Sequence, residues 1–202
     1  MTEHENTNHD TSDDHERDTR PHPKIWIASL ADYNNGRIHG AWVDATGDPD
    51  DLEQAAWRIL AASPEPGAEE WAIHDYDGFG PLHLGEYESF ADISAVARGI
   101  AEHGSAFAAW TEIVWDDGGP LDHDLLAEFP DYYMGHHESP EAWAEEICND
   151  LGYTLEAGSK LPDVLQPYVR LDYKAFAEDM RLSGEVSFTE SPIGGVWVFR
   201  SL

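Results

Sequence analysis

Few residue patterns in this chain could support chemistry, and each familiar one stops short. His4-Glu5 and His15-Glu16 begin a His-Glu-x-x-His zinc motif, but Asn8 and Thr19 stand where the second histidine must be. Gly78-x-Gly80 opens like a dinucleotide loop, yet His83 replaces the third glycine and Pro81 follows at once, so the stretch reads as a turn. There is no Walker lysine motif, no Gly-x-Ser-x-Gly elbow and no cysteine pair. Cys148 lies beside Ile147 in a helical pattern, where a small buried apolar side chain fits better than a nucleophile. His136-His137-Glu138 could hold a metal only if its ligands converged, and adjacent histidines in a strand point to opposite faces. The tail histidines offer at best weak metal scavenging. Carboxylates are so numerous that some pair always stands at a glycosidase-like separation, so pairing discriminates nothing. No catalytic residue, cofactor site or metal site is assigned, and the expectation is a protein that is not an enzyme.

The acids themselves are the stronger signal. Asp and Glu number 41 against 11 Lys and Arg, for a formal charge of −30 over 202 residues. Between Arg98 and Lys160 run 61 residues without one Lys or Arg. That window holds Glu102, Glu112, Asp116, Asp117, Asp122, Asp124, Glu128, Asp131, Glu138, Glu141, Glu145, Glu146, Asp150 and Glu156. On a helix, residues three or four apart stand about 5–6 Å from one another, and like charges at that spacing cost stability. A chain that keeps them without basic partners has a use for the field itself. These fourteen acids are the candidate partner-binding residues, placed to mimic phosphates. Salt adaptation for solubility alone, an acidic chaperone and a divalent-ion buffer are the competing readings.

The elements that must position these acids read as α+β. Residues 1–23 are expected to be a disordered acidic tail, with seven acids, two arginines and no apolar residue beyond Met1. Lys24–Leu30 and Arg37–Val43 read as strands joined by an Asn35-Gly36 hairpin turn. Asp48-Pro49 opens a helix that turns Leu52, Ala56 and Ile59 to one side, and Glu70–Tyr76 reads as a third strand. Ser89 caps a helix with an Ile93, Val96, Ala97, Ile100 stripe that ends at Gly104, and a second helix runs from Ser105. A short helix over Leu121–Phe129 and a strand over Asp131–Met134 follow. Ser139-Pro140 starts a helix that points Trp143, Ile147 and Leu151 inward. Tyr168–Asp172 reads as a strand, Asp172 as the cap of a helix bearing Phe176 and Met180, and Val186–Phe188 and Val196–Phe199 as closing strands. The expected organisation is a tail (1–23), a β-rich N-terminal α+β part (24–88), a helical part (89–126) and a C-terminal α+β part (127–202), with the whole elongated.

Charge also excludes function classes. A nucleic-acid binder needs a basic face to displace phosphate counterions, and an anionic membrane repels this chain. No run approaches the ~18 consecutive apolar residues of a membrane-spanning helix. One cysteine cannot form an internal disulfide, so a reducing cytoplasm is the expected compartment. Setting aside the tail's seven acids and two arginines leaves −25, the charge of roughly 40 Å of duplex at one charge per ~1.7 Å. An elongated chain could present that length; a compact sphere could not.

One set of residues carries a family resemblance: Ile25-Trp-Ile-Ala-Ser-Leu-Ala-Asp-Tyr-Asn-Asn-Gly36 with Gly40-Ala-Trp42, Glu70-Trp-Ala-Ile-His-Asp-Tyr76, Tyr168-Val-Arg-Leu-Asp-Tyr173 with Ala175-Phe176, and Leu182-Ser-Gly184. Over Lys24 to Arg200 the chain resembles the ArdA antirestriction proteins, acidic DNA mimics carried on mobile elements; the tail lies outside the likeness. The resemblance implies an elongated homodimer of three-part chains that occupies the DNA-binding groove of type I restriction-modification enzymes, chiefly in their methyltransferase core. It implies competition without chemistry, carboxylates meeting the enzyme's Lys and Arg. Tyr33, Asn34, Asn35, Gly36, Gly40 and Trp42 match its motif and read as fold determinants (turn, close approach and core) rather than partner contacts. The alternative from another class is an acidic chaperone for basic nucleoid-type proteins.

Overall fold

The computed structural model describes residues 21–115, 120–152, 162, 164 and 169–202. The fold is α+β, with two three-stranded antiparallel sheets separated by helices. The first sheet has the order β2-β1-β3, from β1 (Lys24–Ser29), β2 (Gly40–Asp44) and β3 (Trp71–Asp77). Period-2 alternation turns Ile25 and Ile27 into the core, both fully buried. Gly40 lies opposite Ala28, and a Cβ there would stand 2.4 Å from the Ile27 carbonyl oxygen, so only glycine fits.

The β1–β2 connection differs from the tight hairpin that Asn35-Gly36 suggests. A helical turn, α1 (Leu30–Asn34), intervenes, and β2 starts at Gly40 rather than Arg37. Ser29 Oγ caps that turn by accepting the Asp32 amide, Asn35 closes it, and Gly36 takes φ 74°. The side-chain cap makes the turn cheaper than continued pairing. Helix α2 (Pro49–Ala61) lays Leu52, Ala56 and Leu60 on the sheet; Leu60 takes the place expected of Ile59, which is half-buried. Its N-cap Asp48 makes no cap bond and instead accepts Arg98 Nη1 at 3.0 Å, tying α2 to the next helix.

That helix, α3 (Phe90–His103), buries the Ile93, Val96, Ala97, Ile100 stripe, with Ser89 accepting the Ala91 amide and Gly104 at its end. Helix α4 (Ser105–Val114) is buried over all of Ala106–Thr111 because α3 crosses it closely. A Cβ on Gly99 would fall 2.2 Å from the Phe107 ring, so the crossing needs that glycine. The expected Leu121–Phe129 helix is two pieces, α5 (His123–Ala127) and α6 (Phe129–Tyr132), since Pro130 has no amide to continue α5 and starts the next turn instead. Asp131 and Tyr132 are thereby helical, and the strand expected at Asp131 begins at Tyr133.

The second sheet has the order β4-β6-β5, from β4 (Tyr133–His137), β5 (Val186–Glu190) and β6 (Val196–Arg200). Helices α7 (Pro140–Asp150) and α8 (Tyr173–Leu182) pack on it around Trp143, Ala144, Ala177, Val186 and Val198. Ser139 and Asp172 cap them as expected, accepting the Ala142 and Ala175 amides at 3.1 and 2.9 Å. Leu151 does not point inward. It follows the last turn of α7 and is 63% exposed, while Cys148 takes the buried position. Val169–Asp172 is not a strand, and Tyr168 lies outside the described residues. The two sheets share one core through the middle helices: Phe129 meets Phe107, Trp110, Tyr133 and Phe199.

Candidate functional site

Eleven of the fourteen candidate acids can be placed; Asp116, Asp117 and Glu156 lie outside the described residues. The helices place them by contrast. Phe107, Trp110, Leu126, Phe129 and Trp143 of α4 to α7 are buried, which leaves the intervening acids on the outside. Glu102 ends α3 and Glu112 stands on α4. Asp122 caps α5, its Oδ1 accepting the Asp124 and Leu125 amides at 3.0 and 3.1 Å. Asp124 sits in that first turn, Glu128 between α5 and α6, Asp131 in the first turn of α6, and Glu138 just after β4. Helix α7 bears Glu141, Glu145, Glu146 and Asp150. Ten of the eleven are exposed and Glu141 is half-buried.

None of the eleven pairs with a Lys or Arg among the described residues. Glu146 meets His137 Nδ1 at 3.3 Å and Glu102 lies 3.9 Å from His103 Nε2. Four basic side chains are engaged elsewhere: Lys24 with Asp77, Arg37 with Glu65, Arg98 with Asp48 and Arg181 with Glu178. The Arg181 hydrogen bonds hold the Glu178 carboxyl below its usual range, and the Thr46 hydroxyl and amide do the same for Asp44. Among the described residues the surface therefore carries both paired charge and negative charge without a Lys or Arg partner. The stretch between Arg98 and Lys160 holds only part of the latter, because Asp50, Asp51 and Glu53 also stand exposed on α2. Their signal in the sequence is the Asp-Asp-x-Glu run after Pro49, diluted by Arg58 and Arg98 nearby.

The His136 and His137 rings turn their Nε2 atoms to backbone carbonyls. His136 Nε2 donates to the Gly194 carbonyl at 2.7 Å and His137 Nε2 to the Met134 carbonyl at 3.2 Å. Among the described residues no group of three or more His, Cys, Asp or Glu converges on a metal position.

The motif residues divide. Asn35 and Gly36 close the helical turn α1 instead of a tight hairpin, and Gly40 makes the close approach to β1. Tyr33 and Trp42 are not core: they are 61% and 43% exposed. The sheet register gives the reason, since Trp42 pairs with Trp26, out of phase with the buried Ile25 and Ile27 and therefore on the outer face. Trp42 meets Trp26 edge-to-face at 5.7 Å and carries Lys24 Nζ 5.0 Å above its ring; Tyr33 meets the His74 ring at 4.7 Å. With Asn34 and Ile38 they line an open cavity of about 600 Å³.

Compared with known proteins, the chain finds no match among curated ones. The family model described as antirestriction protein (ArdA) matches residues 25–194, which takes in the first sheet from Ile25 onward, all the helices, and β4 and β5, and leaves out the tail and β6. The chain belongs to the ArdA family of antirestriction proteins.

Proposed function

We propose that this antirestriction protein is a DNA mimic that occupies the DNA-binding groove of type I restriction-modification enzymes and blocks restriction. The observation that carries the reading is the run of acids from Glu102 to Asp150, exposed but for half-buried Glu141 where they are described, and none paired with a Lys or Arg among the described residues. Carboxylates so placed exchange water for the Lys and Arg of a groove built to hold phosphates, and the charge-assisted bonds form without any reaction. The acidic surface runs over all three expected parts, 24–88, 89–126 and 127–202, and a homodimer doubles its length. Light scattering is expected to give twice the 22.6 kDa chain mass at micromolar concentration, and a monomer mass overturns the dimer.

The test is competition. A type I methyltransferase core on a labelled duplex, titrated with this protein, should release the duplex stoichiometrically. Release should weaken as salt rises, because the contacts are ionic, and loss of methylation in the same assay would extend the block to modification. Failure against several type I systems, together with tight binding to a small basic nucleoid protein, would favour the acidic chaperone instead.

A further inference from the structure

A second cavity, of about 400 Å³, opens between the Gly80-Pro81 loop, α4 and the β5–β6 hairpin. Its walls are mostly carbon: Pro81, Ala109, Pro192 in the hairpin turn and Trp197 on β6. Two carboxylates also line it, Glu112 from α4 and Glu190 from the end of β5. Both side chains are exposed, and neither is bonded to a Lys or Arg among the described residues. The combination of apolar walls and two anions in one lining is selective. A carboxylate or phosphate is repelled here, and a purely apolar side chain would leave two carboxylates desolvated without a partner. A long aliphatic stem ending in a cation satisfies both parts: its methylenes lie along the prolines and Ala109, and its charge meets the glutamates and the Trp197 ring.

We propose that this slot is an anchor for one Arg or Lys side chain of the partner, a local hot spot within an otherwise shared acidic field. The proposal deepens the DNA-mimic reading and rests on it for the partner's identity, but not for the chemistry of the slot. Two measurements separate them.

The first uses the full-length protein labelled with nitrogen-15 and a blocked Gly-Arg-Gly peptide. Shifts are expected to concentrate at Ala109, Thr189 and the Trp197 indole, to saturate, and to disappear in E112Q/E190Q. Shifts spread evenly over the exposed acids, or unchanged in the variant, would overturn the slot whatever the enzyme does.

The second is the duplex competition with E112Q/E190Q beside E53Q/E69Q, which removes the same two charges from exposed positions outside the cavity. The slot predicts a loss of about tenfold for the first pair and about twofold or less for the second. P192W, which keeps both carboxylates and fills the opening, should weaken competition as the first pair does; far-ultraviolet circular dichroism verifies that each variant is folded. Equal losses in the two double variants overturn the anchor while leaving the mimic intact. Absence of competition by the wild-type protein overturns the mimic, and the peptide titration still decides the slot.

Discussion

At the residue scale, the most informative acid is one that takes no part in the surface. Asp32 is fully buried, alone in this among the described carboxylates, and is hidden in the sequence among 41 acids. Burial by itself drives its pKa up. The Ser63 hydroxyl, which donates at 2.5 Å, the Ser29 cap, and the charges of His39 and Arg37 outweigh that and hold it below the usual carboxylate range. A lowered native pKa means that the charged form stabilises the fold at pH values above the unfolded value, and that the benefit disappears as pH falls through the native value. Urea titrations should therefore show D32A less stable than wild type at pH 7, with the gap closing only below about pH 4. A gap that widens on acidification would mean that the carboxyl is held neutral. The opposite case is Trp42, whose exposed ring no composition argument reveals; only the register against Trp26 does.

At the scale of elements, caps and periodicity were legible where the local physics is strong. Ser89, Ser139 and Asp172 could be read as N-caps because one side-chain oxygen satisfies an orphan amide regardless of what the helix later packs against. S139A should lower stability by about 1 kcal/mol, seen as a smaller urea midpoint at unchanged slope. A null effect would mean that Pro140 alone sets the start of α7. What sequence could not supply depended on interactions distant along the chain. The Asn35-Gly36 pair looks like a hairpin turn, but Ser29 and buried Asp32 recruit Leu30–Asn34 into a helical turn and move the start of β2 to Gly40. Leu151 fits the α7 stripe by spacing, yet the helix ends before it. The cavity at Glu112 and Glu190 joins residues 78 apart in sequence, so no motif search over neighbours could find it.

At the scale of the whole molecule, stability and the proposed function pull the same residues in opposite directions. On α7, Glu145 stands one turn from Glu141 and Asp150 one turn from Glu146, so two like-charge pairs repel, and Asp150 adds a negative charge at the negative end of the helix. Evolution for stability alone would have replaced Glu145 and Asp150. The double variant E145Q/D150N leaves the Glu146–His137 ion pair in place and relieves both repulsions. It should raise unfolding free energy by about 0.5–1 kcal/mol, and more at low salt, where screening is weakest. In the duplex competition the same variant should bind about twofold more weakly, the scale of removing two exposed charges from a shared field, and the deficit should shrink as salt rises. Gain of stability with loss of competition identifies α7 as part of the surface that meets the partner. Gain of stability with competition unchanged would confine that surface to the other acids between Glu102 and Glu138. Loss of stability would show that the α7 carboxylates hold the fold together, and unpartnered charge would then be no mark of a partner surface on this helix.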